Sequence, residues 1–93
     1  MSKIEELLQT GAAVIIDVRT PEEFSGGHVA GSKNIPLSEI PMHVNELKAM
    51  KNIVLCCASG GRSQNAAYYL QQQGVDCHNG GPWTSVNYLT NKK

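Results

Sequence analysis

Residues 55–63 hold the groups of this 93-residue chain best suited to chemistry: Leu55-Cys56-Cys57-Ala58-Ser59-Gly60-Gly61-Arg62-Ser63. A thiol follows the short apolar, partly β-branched run Ile53-Val54-Leu55, which suits a buried strand. Small residues come next, two of them glycine, so the backbone can turn tightly and leave its amides uncovered. From Ser63 onward, Ala66, Tyr69, Leu70 and Gln73 fall at helical spacing. Strand end, amide loop and helix N-terminus therefore converge on sulfur. Free N–H groups and a nearby cation stabilise a thiolate, the nucleophilic form of cysteine, and lower its pKa. Arg62 is the expected cation. The same cradle would hold an anionic substrate or a cysteine persulfide. A lone cysteine at a strand end is usually a small core residue. The glycines, the arginine and the helix start behind this one favour a reactive group.

Two registers are open. Cys56 begins Cys-x5-Arg, the spacing of cysteine phosphatases, and Cys57 begins Cys-x4-Arg. The shorter stretch, Cys57-Ala58-Ser59-Gly60-Gly61-Arg62-Ser63, resembles the Cys-x-x-Gly-x-Arg-Ser loop of rhodanese-like sulfurtransferases. The phosphatase pattern wants His before the cysteine and Gly three after it, where this chain has Leu55 and Ser59. Two more segments resemble the same family: Asp17-Val18-Arg19 with Thr20-Pro21-Glu22-Glu23-Phe24, and His28-Val29-Ala30-Gly31-Ser32-Lys33-Asn34-Ile35-Pro36. Gly80-Gly81 followed by Trp83 is similar to its closing region with altered spacing, and the first strand usual before the opening helix is missing.

The resemblance implies a sulfurtransferase with Cys57 as nucleophile and persulfide carrier. The amides of Ala58, Ser59, Gly60, Gly61 and Arg62 would form the anion cradle, with Asp17 and Ser63 in support. It implies a thiosulfate-like anionic donor, a thiol or cyanide acceptor or a protein sulfur acceptor, and no metal or organic cofactor. The rival readings are a sulfur carrier that hands its persulfide to a partner, and a Cys-loop phosphatase or arsenate reductase using Cys56. Strand alternation should turn Cys56 away from Cys57. Asp17 is expected to accept loop amides or pair with Arg62, and Arg19 to pair with Glu23 four residues on. His28 should be a hydrogen-bonded corner residue, and His43 and His78 should lie at the surface. Cys77 and His78 lack partners at metal spacing.

The elements that must position this loop can be read in order. Ser2-x-x-Glu5 is a capping box before an apolar stripe of Ile4, Leu7 and Leu8, so residues 3–9 should be helical up to Gly11. Residues 13–18 form a nearly unbroken apolar run, as parallel strands covered on both faces do. Thr20-Pro21-Glu22-Glu23 starts a short helix stopped by Gly26-Gly27. Strands are also expected at residues 33–35, 53–57 and 75–78. Helices should run over residues 41–50, with Val44, Leu47 and Met50 inward, from Ser63 to near Gly74, and over residues 82–89, before a polar tail over 90–93. Alternating strands and helices imply an open parallel α/β sheet of four to five strands with helices on both faces. Ligand sites in such sheets lie at the carboxyl ends of the strands, where Asp17 and Cys57 fall.

Bulk properties agree. The length suits one domain over residues 1–93. Apolar residues make up 41% and charged residues 17%, ordinary values for a soluble protein. Lys+Arg and Asp+Glu are both 8, so no basic excess points to nucleic acid. Three cysteines are too few, and odd in number, for a disulfide framework to be expected. The opening Met1-Ser2-Lys3-Ile4-Glu5-Glu6 has acids and no apolar stretch, and no run is long enough to span a membrane. A cytoplasmic protein without membrane partners is expected.

Overall fold

A computed structural model describes residues 2–92. Helix α1 (Lys3–Thr10) opens on the expected capping box: the Ser2 side chain accepts from the Glu5 amide, and the Glu5 side chain accepts from the Ser2 amide. Gly11 ends it in the left-handed conformation, φ +78°. Strand β1 (Val14–Asp17) follows. Helix α2 (Pro21–Ser25) has a second capping box, between Thr20 and Glu23, with Pro21 in its first turn. Strand β2 is only Lys33–Asn34. A 3-10 segment (Leu37–His43) runs into α3 (Val44–Lys48). The remaining elements are β3 (Ile53–Cys57), α4 (Gly61–Gln72), β4 (Cys77–Pro82) and α5 (Trp83–Asn91).

The four strands pair in the order β2-β1-β3-β4, every pair parallel. Parallel sheets need cover on both faces, and two apolar clusters provide it. On one face Ile16, Leu55 and Cys57 pack with Leu47 of α3 and Ala66, Ala67 and Leu70 of α4. On the other, Ile15, Val54 and Cys56 pack with Leu7 and Leu8 of α1 and Val86 of α5. Alternation along β3 thus sends the two adjacent cysteines into different layers.

Four boundaries differ from expectation. Residues 41–50 do not form one helix: Pro41 lies inside the 3-10 segment that starts at Leu37, where its missing N–H and its ring rule out an α-helical bond to the Leu37 carbonyl. Leu47 is nevertheless buried, with Val44 and Met50 packed at the core edge, as their spacing implied. Helix α4 begins at Gly61 rather than Ser63. Strand β4 sits further along the chain than residues 75–78, because the Val75 amide is taken by the Leu70 carbonyl (2.9 Å) at the end of α4. The polar tail is helical through Asn91; Lys93 lies outside the described residues.

Strand β4 reaches Pro82 through a bulge: Leu55 pairs with Asn79 but Cys56 pairs with Gly81. Gly80 is the extra residue. A Cβ there would lie 2.7 Å from Val54 Cγ1, 2.9 Å from Val86 Cγ2 and 3.1 Å from the Leu55 carbonyl oxygen. Two branched side chains and one backbone oxygen leave little room to yield. Gly80→Ala should therefore destabilise the fold by about 1–3 kcal/mol, the usual cost of overpacking. Urea unfolding with an unchanged m-value would measure it; a midpoint equal to that of the parent chain would refute this account of the bulge.

Candidate active site

The end of β3 and the start of α4 bring backbone donors onto one sulfur. Cys57 is fully buried, 0% exposed, at the floor of the loop. Its Sγ accepts from the Gly60 amide at 3.0 Å and the Ser63 amide at 3.3 Å, and the Ser63 hydroxyl lies 3.4 Å away. Gly60 makes this turn at φ +106°, a conformation L side chains rarely adopt, and acts as the N-cap of α4. Gly60 and Ser63 can thus aim their amides inward. Burial pushes the Cys57 thiol up. The Ser63 hydroxyl and the amides of Ser63, Gly60 and Ser59 more than offset this, so its pKa lies below the ordinary cysteine value. The amide cradle expected over Ala58 to Arg62 therefore centres on Ser59, Gly60 and Ser63; the Ser63 amide lies one residue beyond the expected stretch.

Cys56 is a different kind of thiol. It is buried in the opposite layer, and burial, with the negative charge of Asp17, pushes its pKa up to about 12. Its sulfur lies across the sheet from the loop, against the Cys-x5-Arg register. Burial, helped by Asp76, pushes Cys77 up to about 11, and its Sγ lies 3.8 Å from the Ala67 carbonyl.

The charged residues pair otherwise than expected. Asp17 touches neither the loop amides nor Arg62. Its Oδ1 accepts from the Arg19 amide and Nε, both at 3.0 Å, and its Oδ2 accepts from Arg19 Nη2 at 2.8 Å. Both residues are buried, and Nη2 also donates to the Gly27 carbonyl at 2.7 Å. The guanidinium stacks over Trp83, 4.8 Å from the ring centroid. Arg19 thus does not pair with Glu23. The helical i,i+4 rule fails because Arg19 precedes α2 and folds back on the strand end.

Glu23 instead meets Arg62. Arg62 Nη1 donates to Glu23 Oε1 at 2.7 Å and Nη2 to Oε2 at 2.9 Å, a bidentate pair. Hydrogen bonding to Arg62, aided by the Thr20 amide, holds the Glu23 carboxyl down to about 2. Arg62 has no hydrogen bond to Cys57 Sγ among the described residues; the thiolate is stabilised chiefly by backbone donors and Ser63.

Asn79, which the motifs do not mark, completes the surroundings. Its Oδ1 accepts from the Gly81 amide at 3.0 Å and lies 2.7 Å from the Ser63 hydroxyl, so it shares that hydroxyl's single proton with Cys57 Sγ. It ties the β4 bulge to the loop, and its place immediately before Gly80-Gly81 was the available signal. His28 is the expected corner residue: its Nδ1 lies 2.8 Å from the Phe24 carbonyl and its ring stacks on Phe24. No group of three His, Cys, Asp or Glu side chains is arranged to hold a metal ion among the described residues. No helix there is long and apolar enough to cross a membrane.

A parallel sheet with a cysteine loop at the carboxyl end of β3 agrees with what comparison with known proteins finds. The family model described as the rhodanese-like domain matches residues 1–81. The chain belongs to the rhodanese-like domain family. A rhodanese-related protein from Thermoplasma volcanium superposes with a TM-score of 0.78 at 28% identity, covering 97% of this chain and 91% of that one. Among curated relatives, the uncharacterized protein YqhL of Bacillus subtilis is 45% identical over 67% of this chain and 49% of its own length. The same organism's putative sulfur carrier protein YrkF is 42% identical over 64% of this chain and 32% of its own length. The thiosulfate sulfurtransferase GlpE of Pseudoalteromonas translucida is 35% identical over 76% of this chain and 68% of its own. The chain thus spans about a third to two thirds of the length of these curated relatives.

Hydrogen bonding by this rhodanese-like loop makes one prediction. Iodoacetamide should label Cys57 selectively below neutral pH, at a rate that rises through a midpoint lower than that of free cysteine, while Cys56 and Cys77 stay silent in the native state. Ser63→Ala removes the one side-chain hydroxyl beside the sulfur and should move that midpoint upward. Peptide mapping across a pH series measures both, and an unmoved midpoint in Ser63→Ala would exclude the hydroxyl as a donor to sulfur.

Proposed function

We propose that this chain moves sulfane sulfur through a persulfide on Cys57. The observation that carries the reading is the convergence of the Gly60 and Ser63 amides and the Ser63 hydroxyl on Cys57 Sγ. Donors so arranged favour the Cys57 thiolate, the nucleophile that takes up the sulfur. The Cys57 thiolate attacks the outer sulfur of a donor such as thiosulfate. A new S–S bond forms, the donor's S–S bond breaks, and sulfite leaves with its electron pair. A thiolate or cyanide acceptor then attacks the outer sulfur of Cys57–S–S⁻ and restores the Cys57 thiolate. Two half-reactions on one nucleophile give ping-pong kinetics. The thiolate is the resting form, so no general base, metal or organic cofactor is needed. The amides from Ala58 to Ser63 serve as the anion cradle, Ser63 orients its hydroxyl on the sulfur, and Asp17 acts at a distance by fixing the end of β1 through Arg19.

A second reading, a sulfur carrier that passes its persulfide to a partner protein, draws support from the pairing of Arg62 with Glu23. With that cation engaged, small anionic donors have little side-chain charge to bind. The resemblance to a putative sulfur carrier points the same way. Both readings use the same Cys57 persulfide in a cytoplasmic setting.

Intact-mass measurement after exposure to thiosulfate and removal of excess donor should show a gain of one sulfur atom. Cys57→Ser should abolish that gain, and Cys56→Ser should retain it. A folded Cys57→Ser variant that still gains the sulfur would overturn the assignment. Hydrolysis of a generic aryl phosphate dependent on Cys56 would point to the phosphatase chemistry instead.

A further inference from the structure

We propose that Glu23 is a specificity-determining residue that turns the Cys57 site away from dianionic sulfur donors and toward monoanionic ones, the thiosulfonates and organic persulfides. The proposal rests on the Cys57 persulfide reading above and refines its donor class.

Glu23 is not a surface side chain that happens to meet an arginine. The Thr20 amide and hydroxyl both donate to its Oε1, at 3.0 and 3.1 Å, as part of the α2 capping box. The carboxylate is therefore held from its own helix before Arg62 arrives. β1 and β3 are neighbours, and Asp17 pairs with Cys56, so α2 and the cysteine loop leave the sheet side by side. That places Glu23 where both of its oxygens reach both terminal nitrogens of Arg62. Glu23 and Arg62 side chains are each 36% exposed, so the pair sits at the surface beside the start of α4, where the charge of Cys57 reaches Arg62, rather than inside the core. With its carboxyl held down to about 2, Glu23 is ionised at any working pH.

The local charge follows. The thiolate contributes one negative charge, Arg62 one positive and Glu23 one negative, leaving a net charge of about −1 once the thiolate forms. Asp17 and Arg19 neutralise each other underneath. A donor bearing two negative charges meets this charge with roughly twice the repulsion felt by a donor bearing one. Thiosulfate is dianionic. A thiosulfonate, R–SO2–S⁻, has the same reacting sulfur with one charge fewer: the Cys57 thiolate takes its terminal sulfur and a sulfinate, R–SO2⁻, leaves with the electron pair. An organic persulfide gives up its outer sulfur in the same way and releases R–S⁻.

The test compares thiosulfate with benzenethiosulfonate in persulfide formation on the full chain, by intact mass and by kcat/KM with cyanide as acceptor. The parent chain should favour benzenethiosulfonate, and its rate with thiosulfate should rise as salt is raised from about 0.01 M to about 0.15 M, because like-charge repulsion is screened. Glu23→Gln should raise the thiosulfate-to-thiosulfonate ratio of kcat/KM by about tenfold, the scale of one charge at a partly exposed site, and should flatten or reverse the salt dependence. A general loosening of the loop would move both donors together and leave the ratio alone. An unchanged ratio in folded Glu23→Gln, or a thiosulfate rate in the parent chain that does not rise with salt, would overturn the role of Glu23 while leaving the persulfide intact. Absence of any Cys57 persulfide from either donor would overturn both readings.

Discussion

The site depends on backbone N–H groups that are withheld from secondary structure and spent on one sulfur atom. An α-helix leaves its first amides without intrahelical partners, and burying such groups unpaired is costly. Here β3 ends and α4 begins so close together that the orphaned donors of the helix face the last residue of the strand. Cys57 Sγ takes the Gly60 and Ser63 amides, and the helix start and the thiolate satisfy each other. The left-handed turn at Gly60 and the tether from Asn79 to Ser63 serve this arrangement. The β4 bulge, made possible by a missing side chain at Gly80, carries the strand on past Asn79 beside the loop.

Charge is distributed around this core in two separate pairs. Asp17 and Arg19 form a buried pair with its hydrogen bonds well filled: both carboxylate oxygens are used, and the guanidinium gains the Gly27 carbonyl and the Trp83 face. Removing one partner of a pair this buried would strand the other, so its effect is on the fold rather than on the sulfur. Glu23 and Arg62 form the second pair at the surface beside the start of α4, where solvent screens it and where it faces whatever approaches. The division explains why Asp17, though close in sequence order to the motif residues, makes no contact with the loop.

Much of this was legible from local rules. Both capping boxes act over three residues, and both form as their spacing implied. The apolar runs of β1 and β3 announced a sheet covered on both faces, and alternation placed Cys56 and Cys57 in opposite layers. What local rules missed is long-range. Arg62 and Glu23 are brought together by strand adjacency across 39 positions, and Ser63 and Asn79 across 16. Arg19 illustrates the opposite error: a spacing rule that holds within a helix was applied to a residue outside it. The 3-10 segment around Pro41 follows from an N–H that the proline lacks, and the late start of β4 from a Val75 amide already taken by the end of α4.

The placement of the three thiols has a logistical consequence. Cys56 is next to Cys57 in the chain but on the far side of the sheet, and its raised pKa keeps it a thiol. Cys77 pairs in register with Ile53, at the opposite end of β3 from Cys57, about 13 Å away at the usual rise per residue. No second thiol inside the described fold can reach around to collect a sulfur atom from Cys57 or to close a disulfide with it. Under the proposed persulfide chemistry, a sulfur atom carried by Cys57 would therefore have to be collected by a molecule from outside.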